Sequence, residues 1–398
     1  MRSKLLSSSP WVRQRLLREA TRLALLFGQL LFLFQMACPA RAQTNSTPMF
    51  LGEASCSSSS CHGGAGEKRD QCIIWSKRDF HSRSYATLTM ARSARIADSL
   101  KISDPARNPR CTVCHAPFLD VPARELSKAI DPALGVSCES CHGRAENWLR
   151  SHTRPDFTHQ DRIHAGMRDL ENLYVRANSC VACHQNVDAD LLQAGHPELI
   201  FELDGQAVTE PKHWREKSGW SGPQTWLVGQ AVALREMSWQ LSREQVPTEN
   251  AINRWSAMLW LLQTAGTMHG TLPADASVTS EPSAPNAERA QKWADQLARA
   301  AAATPWSAES TSRCLLTLAG TAADFREKSV TRAAQGRRAE RLVLALDRLV
   351  TGLSDAPTAK RLEAPLNRLF KDAQALPDFD SEQFAAQLEE FQKAVAAK

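Results

Sequence analysis

Three segments of the chain repeat one five-residue pattern: Cys111-Thr112-Val113-Cys114-His115, Cys138-Glu139-Ser140-Cys141-His142 and Cys180-Val181-Ala182-Cys183-His184. No other feature constrains the fold as tightly. Two thiols three positions apart lie on one side of a single helical turn. From there they reach the two vinyl groups of one porphyrin, and the imidazole of the next residue projects along the porphyrin normal onto iron. A disulfide or a redox dithiol would not require His after the second Cys three times over, and zinc knuckles of the Cys-x-x-Cys type lack it. The pattern predicts three covalently held haem c groups, with His115, His142 and His184 as proximal iron ligands.

A fourth segment, Cys56-Ser57-Ser58-Ser59-Ser60-Cys61-His62, places four residues between its thiols. Its ending Cys61-His62-Gly63 repeats Cys141-His142-Gly143. A serine loop that bulges still delivers both sulfurs to one porphyrin, so the reading is a fourth haem c on Cys56 and Cys61 with His62 on iron. A structural disulfide, or a haem held through Cys61 alone, are the alternatives.

The chain has 11 Cys and 11 His. Setting aside Cys38 near the amino terminus, eight cysteines enter these sites. Cys72 and Cys314 are left, read as free or buried thiols. Of the histidines outside the motifs, His81, His152, His159, His164, His196 and His213 fall in the same region and only His269 lies beyond it. A six-coordinate haem needs one further nitrogen or sulfur, so bis-His ligation of at least three haems is expected, with Met90 and Met167 as competing sulfur donors. Opposed ligating nitrogens should then lie roughly 4 Å apart, across two metal–nitrogen bonds of about 2 Å each. Trp75 and Trp148 neighbour these ligands in sequence, either walling the porphyrins or simply packing. No residue is assigned a catalytic role.

The amino terminus reads as an export signal over residues 1–42. A basic stretch from Arg2 to Arg22 precedes an apolar run from Leu23 to Met36, and Ala40-Arg41-Ala42 is a small-x-small cleavage site. The apolar run is shorter than the roughly 18 residues of a spanning helix. An uncleaved anchor, or lipidation at Cys38, are the lesser readings. Residues 1–42 hold seven Lys/Arg and one Glu, a net +6 against the formal +5 of the whole chain, so the remainder sits near −1. The basic balance belongs to the signal, and nucleic acid is excluded as a partner on that ground.

Residues 43–215 hold the Cys/His-rich motifs among many Pro, Gly and Ser, with no long amphipathic period. From residue 216 to 398 the pattern changes. Trp255, Met258, Leu259 and Leu262 recur at helical spacing, as do Leu342, Leu346, Leu349, Val350 and Leu353. Asp355-Ala356-Pro357 and Ser381-Glu382 look like helix starts, and His269 to Asn286 like a flexible connection. The expected fold is mainly α: a multihaem cytochrome domain with little regular structure, then an all-α bundle or array of six or seven helices.

With these motifs stated, the chain resembles the cytochrome c-554 family of tetrahaem cytochromes over roughly residues 50–215, and is similar to haem-rich segments of related multihaem enzymes of the hydroxylamine oxidoreductase type. The likeness rests on Trp75, Ser76 and His81 after the first motif, on Asn108-Pro109-Arg110-Cys111, on Gly135-Val136-Ser137-Cys138 through Gly143 with His152 following, and on Gly195-His196-Pro197. The widened first motif and the carboxy-terminal helices depart from the family. The resemblance implies closely packed porphyrins and distal ligands borrowed from other motifs' segments. By that pattern His152 serves the Cys56/Cys61 haem, His81 the Cys180/Cys183 haem, and His196 the Cys138/Cys141 haem. The family's second haem can lack a distal ligand. Here His213 is the expected occupant, ahead of His164 and His159.

The function implied is an exported, periplasmic electron carrier serving redox partner proteins, a membrane-associated donor among them. The alternative is a multihaem oxidoreductase with one open haem acting on a small nitrogen or sulfur oxide.

Overall fold

A computed structural model describes residues 47–216, 218–266 and 277–397, and all regular elements among them are helical, apart from one isolated bridge between Phe50 and Leu126. The expected amino-terminal signal, Cys38 and His269 lie outside the described residues. Among those described, no helix is long and apolar enough to cross a membrane.

The first nine helices are short: α1 Gln71–Arg78, α2 Ser84–Thr87, α3 Ala91–Ser99, α4 Pro109–His115, α5 Cys138–His142, α6 His159–His164, α7 Leu173–His184, α8 Ala189–Gln193 and α9 Leu203–Thr209. Their bounds follow from local chemistry. Asn108 caps α4 through the Arg110 N–H with Pro109 in its first turn, Gly143 at φ 81° ends α5, and Thr158 with Asp161 closes a capping box on α6. Each of these helices is too short to persist by propensity alone, so its stability comes from what it packs against.

Seven longer helices follow: α10 Gly222–Arg243, α11 Glu249–Gly266, α12 Ala284–Ala303, α13 Ala308–Ala319, α14 Arg332–Thr351, α15 Ala356–Gln374 and α16 Ser381–Ala396. The expected stripes face inward. Trp255, Met258, Leu259 and Leu262 of α11 and Leu342, Leu346 and Leu349 of α14 are all buried in one cluster. Both expected helix starts hold, α15 with Pro357 in its first turn and α16 with the Asp380 carboxylate accepting from the Glu382 and Gln383 N–H groups. The connection expected to run to Asn286 yields to α12 at Ala284, and its first part is not among the described residues.

From Pro48 onward the chain forms one compact unit. Ala177 and Val181 of α7, with Phe201 and Leu203, join the buried cluster of α10–α16. The α9 backbone meets α10 at Gly229, where a Cβ would lie 2.7 Å from Leu203 Cβ, so only glycine permits the approach. Alongside, Gln230 donates to the Phe201 carbonyl at 3.0 Å, and Arg348 pairs with Asp204 at 2.7 Å. Arg341 faces Glu202 at 3.6 Å and Arg254 faces Glu198 at 3.0 Å. Ion pairs this dry stabilise little on balance, but leaving one partner alone is costly, so they fix position more than they add stability.

Candidate haem sites

In α4, α5 and α7 the two thiols fall on one helical turn, and the motif histidine is the last residue of the helix. The first motif is different. After a short 3₁₀ turn at Glu53–Ser55, the serine loop folds back so that the His62 N–H donates to the Cys56 carbonyl at 3.1 Å and Gly63 N–H to Ser58 at 3.0 Å. A Cβ on Gly63 would lie 1.8 Å from the Ser57 carbonyl oxygen, so the loop closes only over glycine. Cys61 lies exposed, and the Ser58 and Ser60 hydroxyls draw its thiol below the usual value.

Three of the motif histidines have a second imidazole beside them. His62 faces His152 with ring centroids 6.2 Å apart, His184 faces His81 at 5.8 Å, and His142 faces His213 at 6.4 Å. For the fourth, His196 acts electrostatically on His115. An iron between two imidazoles, with bonds of about 2 Å and ring centres roughly 1 Å behind the ligating nitrogens, sets centroids about 6 Å apart. The three measured pairs fit that spacing.

Tautomers agree with it. His152 Nδ1 sits 2.6 Å from the Leu149 carbonyl, His196 Nδ1 2.9 Å from that of Pro197, and His115 Nδ1 3.1 Å from that of Ser84. A carbonyl only accepts, so these Nδ1 atoms carry the proton and Nε2 keeps its lone pair for a metal. His62 Nδ1 meets Gln71 Oε1 at 2.9 Å, and His81 Nδ1 meets Asp79 at 3.0 Å and Glu210 at 3.4 Å. Gln206 approaches His184 Nδ1 at 3.3 Å through its amide nitrogen while its Oε1 is buried without a partner. Exchanging the amide's two ends lets Oε1 accept from His184 Nδ1 and gives His184 the same tautomer. Burial pushes His142 down to about 4, assisted by the charges of His213 and His62, and it lowers His115 and His184 as well. Those rings are neutral at pH 7, as ligands must be. His81 moves upward, to about 10, because the Asp79 and Glu210 carboxylates accept from its Nδ1.

His213, expected at Cys111/Cys114, lies beside His142 of the third motif, and His196, expected there, acts electrostatically on His115. Arg110, at the start of α4, binds Asp188 at 2.9 Å and Asp190 at 2.6 Å, which ties α8 to the second motif. Arg176 of α7 holds Glu216 at 3.0 Å, and Trp214 donates to the same carboxylate at 2.8 Å, which anchors His213 beside His142. His152 lies beside His62 and His81 beside His184. His159 turns instead to Asp169 at 3.2 Å, His164 meets the Gln160 amide at 3.2 Å, and Met90 is exposed.

Thiols of different motifs also meet. The Cys138 thiol is influenced by those of Cys56 and Cys72, and Cys114 by that of Cys183. Cys180 feels the charge of Cys141, and burial raises their thiols to about 12 and about 11. Cys72 is buried as expected, but among sulfurs, and Cys314 is buried in the helical core. Trp148 lies edge-on to His152 at 5.6 Å, while Trp75 donates to the Val136 carbonyl at 3.0 Å. Glu139, between two motif thiols, carries a role the spacing did not reveal. Its buried carboxylate accepts from the N–H groups of Leu51, Gly52 and Ala145 at 2.6–3.0 Å and pins the amino-terminal segment to the third motif. Asp79, Gln206 and Glu210 were missed too. Asp79 stands two residues from His81 and was findable; the others come from a distant helix.

Residues 55–143 match the family described as cytochrome c554 and c-prime, a stretch holding the first three motifs and His81. No curated protein and no solved structure matches the chain. Over residues 55–143, with their motif helices and motif histidines, the chain is similar to the cytochrome c554 and c-prime family, a likeness that supports haem c binding in that stretch.

Proposed function

We propose that this is an exported tetrahaem cytochrome, passing electrons between redox partners in the periplasm through four bis-His sites. The observation that carries the reading is the set of three imidazole pairs, His62 with His152, His142 with His213 and His184 with His81, joined by the electrostatic action of His196 on His115. Haem c supplies reversible one-electron iron chemistry when bound. The chain's part is to tether it through Cys56/Cys61, Cys111/Cys114, Cys138/Cys141 and Cys180/Cys183, and to close both axial positions. Sulfur neighbours support a relay order of first, third, fourth and second site: Cys56 with Cys138, Cys141 near Cys180, Cys183 with Cys114. The action of His196 on His115 supports a filled second site over the open one that a reductase of small oxides would need. Residues 43–215 form the relay, and the helices of 216–398 brace it through α7 and α9.

The test is the mature chain made in a host competent in cytochrome maturation. Four haem increments in the intact mass, with both Cys56 and Cys61 blocked and only low-spin ferric signals, are expected. Three increments with a free first motif would remove the tetrahaem reading. A high-spin signal that shifts with nitric oxide would turn the assignment to the enzyme.

A further inference from the structure

We infer that Asp79 and Glu210 are positioning residues that make the Cys180/Cys183 site the lowest in reduction potential of the four. The inference rests on the reading of His184 and His81 as that site's axial ligands. His81 directs Nδ1 at the Asp79 carboxylate, 3.0 Å away, and at that of Glu210, 3.4 Å away. Asp79 also accepts from the His81 backbone N–H at 2.8 Å and is 3% exposed, so its geometry is locked. For the other imidazoles read as ligands, the Nδ1 partners found among the described residues are neutral: an amide at His62, a hydroxyl and a carbonyl at His115, carbonyls at His152 and His196, and an amide at His184. Among these ligand candidates, the Nδ1 that meets carboxylates is that of His81.

The chemistry has one direction. A carboxylate that holds the Nδ1 proton gives the ring imidazolate character and makes Nε2 a stronger donor. A stronger donor with two anions behind it favours Fe(III) over Fe(II), since reduction adds one electron to iron while the proton stays on the hydrogen-bonded pair. The same helix serves both faces of the site. Gln206 lies in α9 and Glu210 follows its last residue, still on the helical turn through the Glu210 N–H to Gln206 carbonyl bond of 2.9 Å. Four residues apart, they share one face of α9, Gln206 toward His184 and Glu210 toward His81. The Gly229 contact and the Arg348–Asp204 pair fix that helix to α10 and α14, so the carboxy-terminal helices set the ligand geometry at this site.

The experiment compares the full mature holoprotein with Asp79→Asn, Glu210→Gln and the double variant by potentiometric titration, followed in absorbance and ferric electron paramagnetic resonance. In the double variant the most negative step should shift upward by about tenfold in its ferric-to-ferrous equilibrium, or about 59 mV for one electron. The low-spin signal belonging to that step should shift with it and the other three should stay. Glu210→Gln, at a half-buried position, should give a smaller shift of the same sign without disturbing the Asp79 turn. Intact haem loading with all four steps unmoved would overturn the inference while leaving the bis-His reading in place. A wild-type peptide map with no haem on Cys180 and Cys183 would remove both.

Discussion

The two halves of the molecule bury different things. In residues 222–396 the interior is aliphatic and aromatic: Trp226, Trp255, Leu234, Leu346, Phe384 and Phe391 are fully enclosed. In residues 48–215 the motif thiols and imidazoles are half-buried, with Cys61 exposed, and the buried apolar side chains are scattered, as at Leu88, Ile96, Phe118 and Trp148. A core of the first kind folds from its own side chains. The second kind gathers few apolar side chains of its own, and on the proposed reading the porphyrins would supply the rest of its interior.

Withholding the cofactor should break the comparison most severely. In a chain made without haem attachment, amide exchange is expected to be fast throughout 48–172 and slow in α10, α11 and α14. Equal protection in both halves would mean that the first half has a core of its own. Next in size is Leu346→Ala, which opens a cavity in α14 and should destabilise the helices by roughly 2–5 kcal/mol. Denaturant midpoints read by circular dichroism check this, with haem potentials unchanged below the transition.

A smaller effect belongs to the seam between the halves. Burial lifts the Glu202 carboxyl from its ordinary 4.5 to about 7, against the pull of Arg341. The folded chain then binds that proton more tightly than the unfolded one, so the contribution is full below pH 4.5 and lost as pH rises through about 7. Glu202→Gln should flatten stability over that window, measured as denaturation midpoint against pH; an unchanged slope would place the titration elsewhere. Smallest in stability is Arg110→Ala, a half-exposed pair worth at most about 1 kcal/mol. Its consequence is local: with α8 released, His196 should leave His115 and a high-spin ferric signal should appear at the second site. If the signal stays low-spin, Arg110 does not place that ligand.

Much of this was readable along the chain. The cysteine spacing marked three motif helices and the serine loop before His62, and the apolar stripes around Trp255 and Leu346 located helices that bury those faces. Both depend on neighbours within one or two turns. The Ser381 helix start was legible for the same reason, even though its cap proved to be Asp380. The place of His213 beside His142 was not legible, because the Arg176–Glu216 pair that anchors it is not written in the local pattern. Glu210 stands 129 residues from the imidazole it holds, and no period or spacing connects the two.

Attachment, helix formation and the identity of the ligating atoms are short-range matters, settled by covalent geometry and by which side chains share a turn, so the amino-acid order alone determined them. Which imidazole stands opposite which, and which ring receives two carboxylates, was decided only when α8 and α9 were drawn onto their neighbours. Those contacts close long loops, and their outcome depends on packing and buried charge across the whole unit.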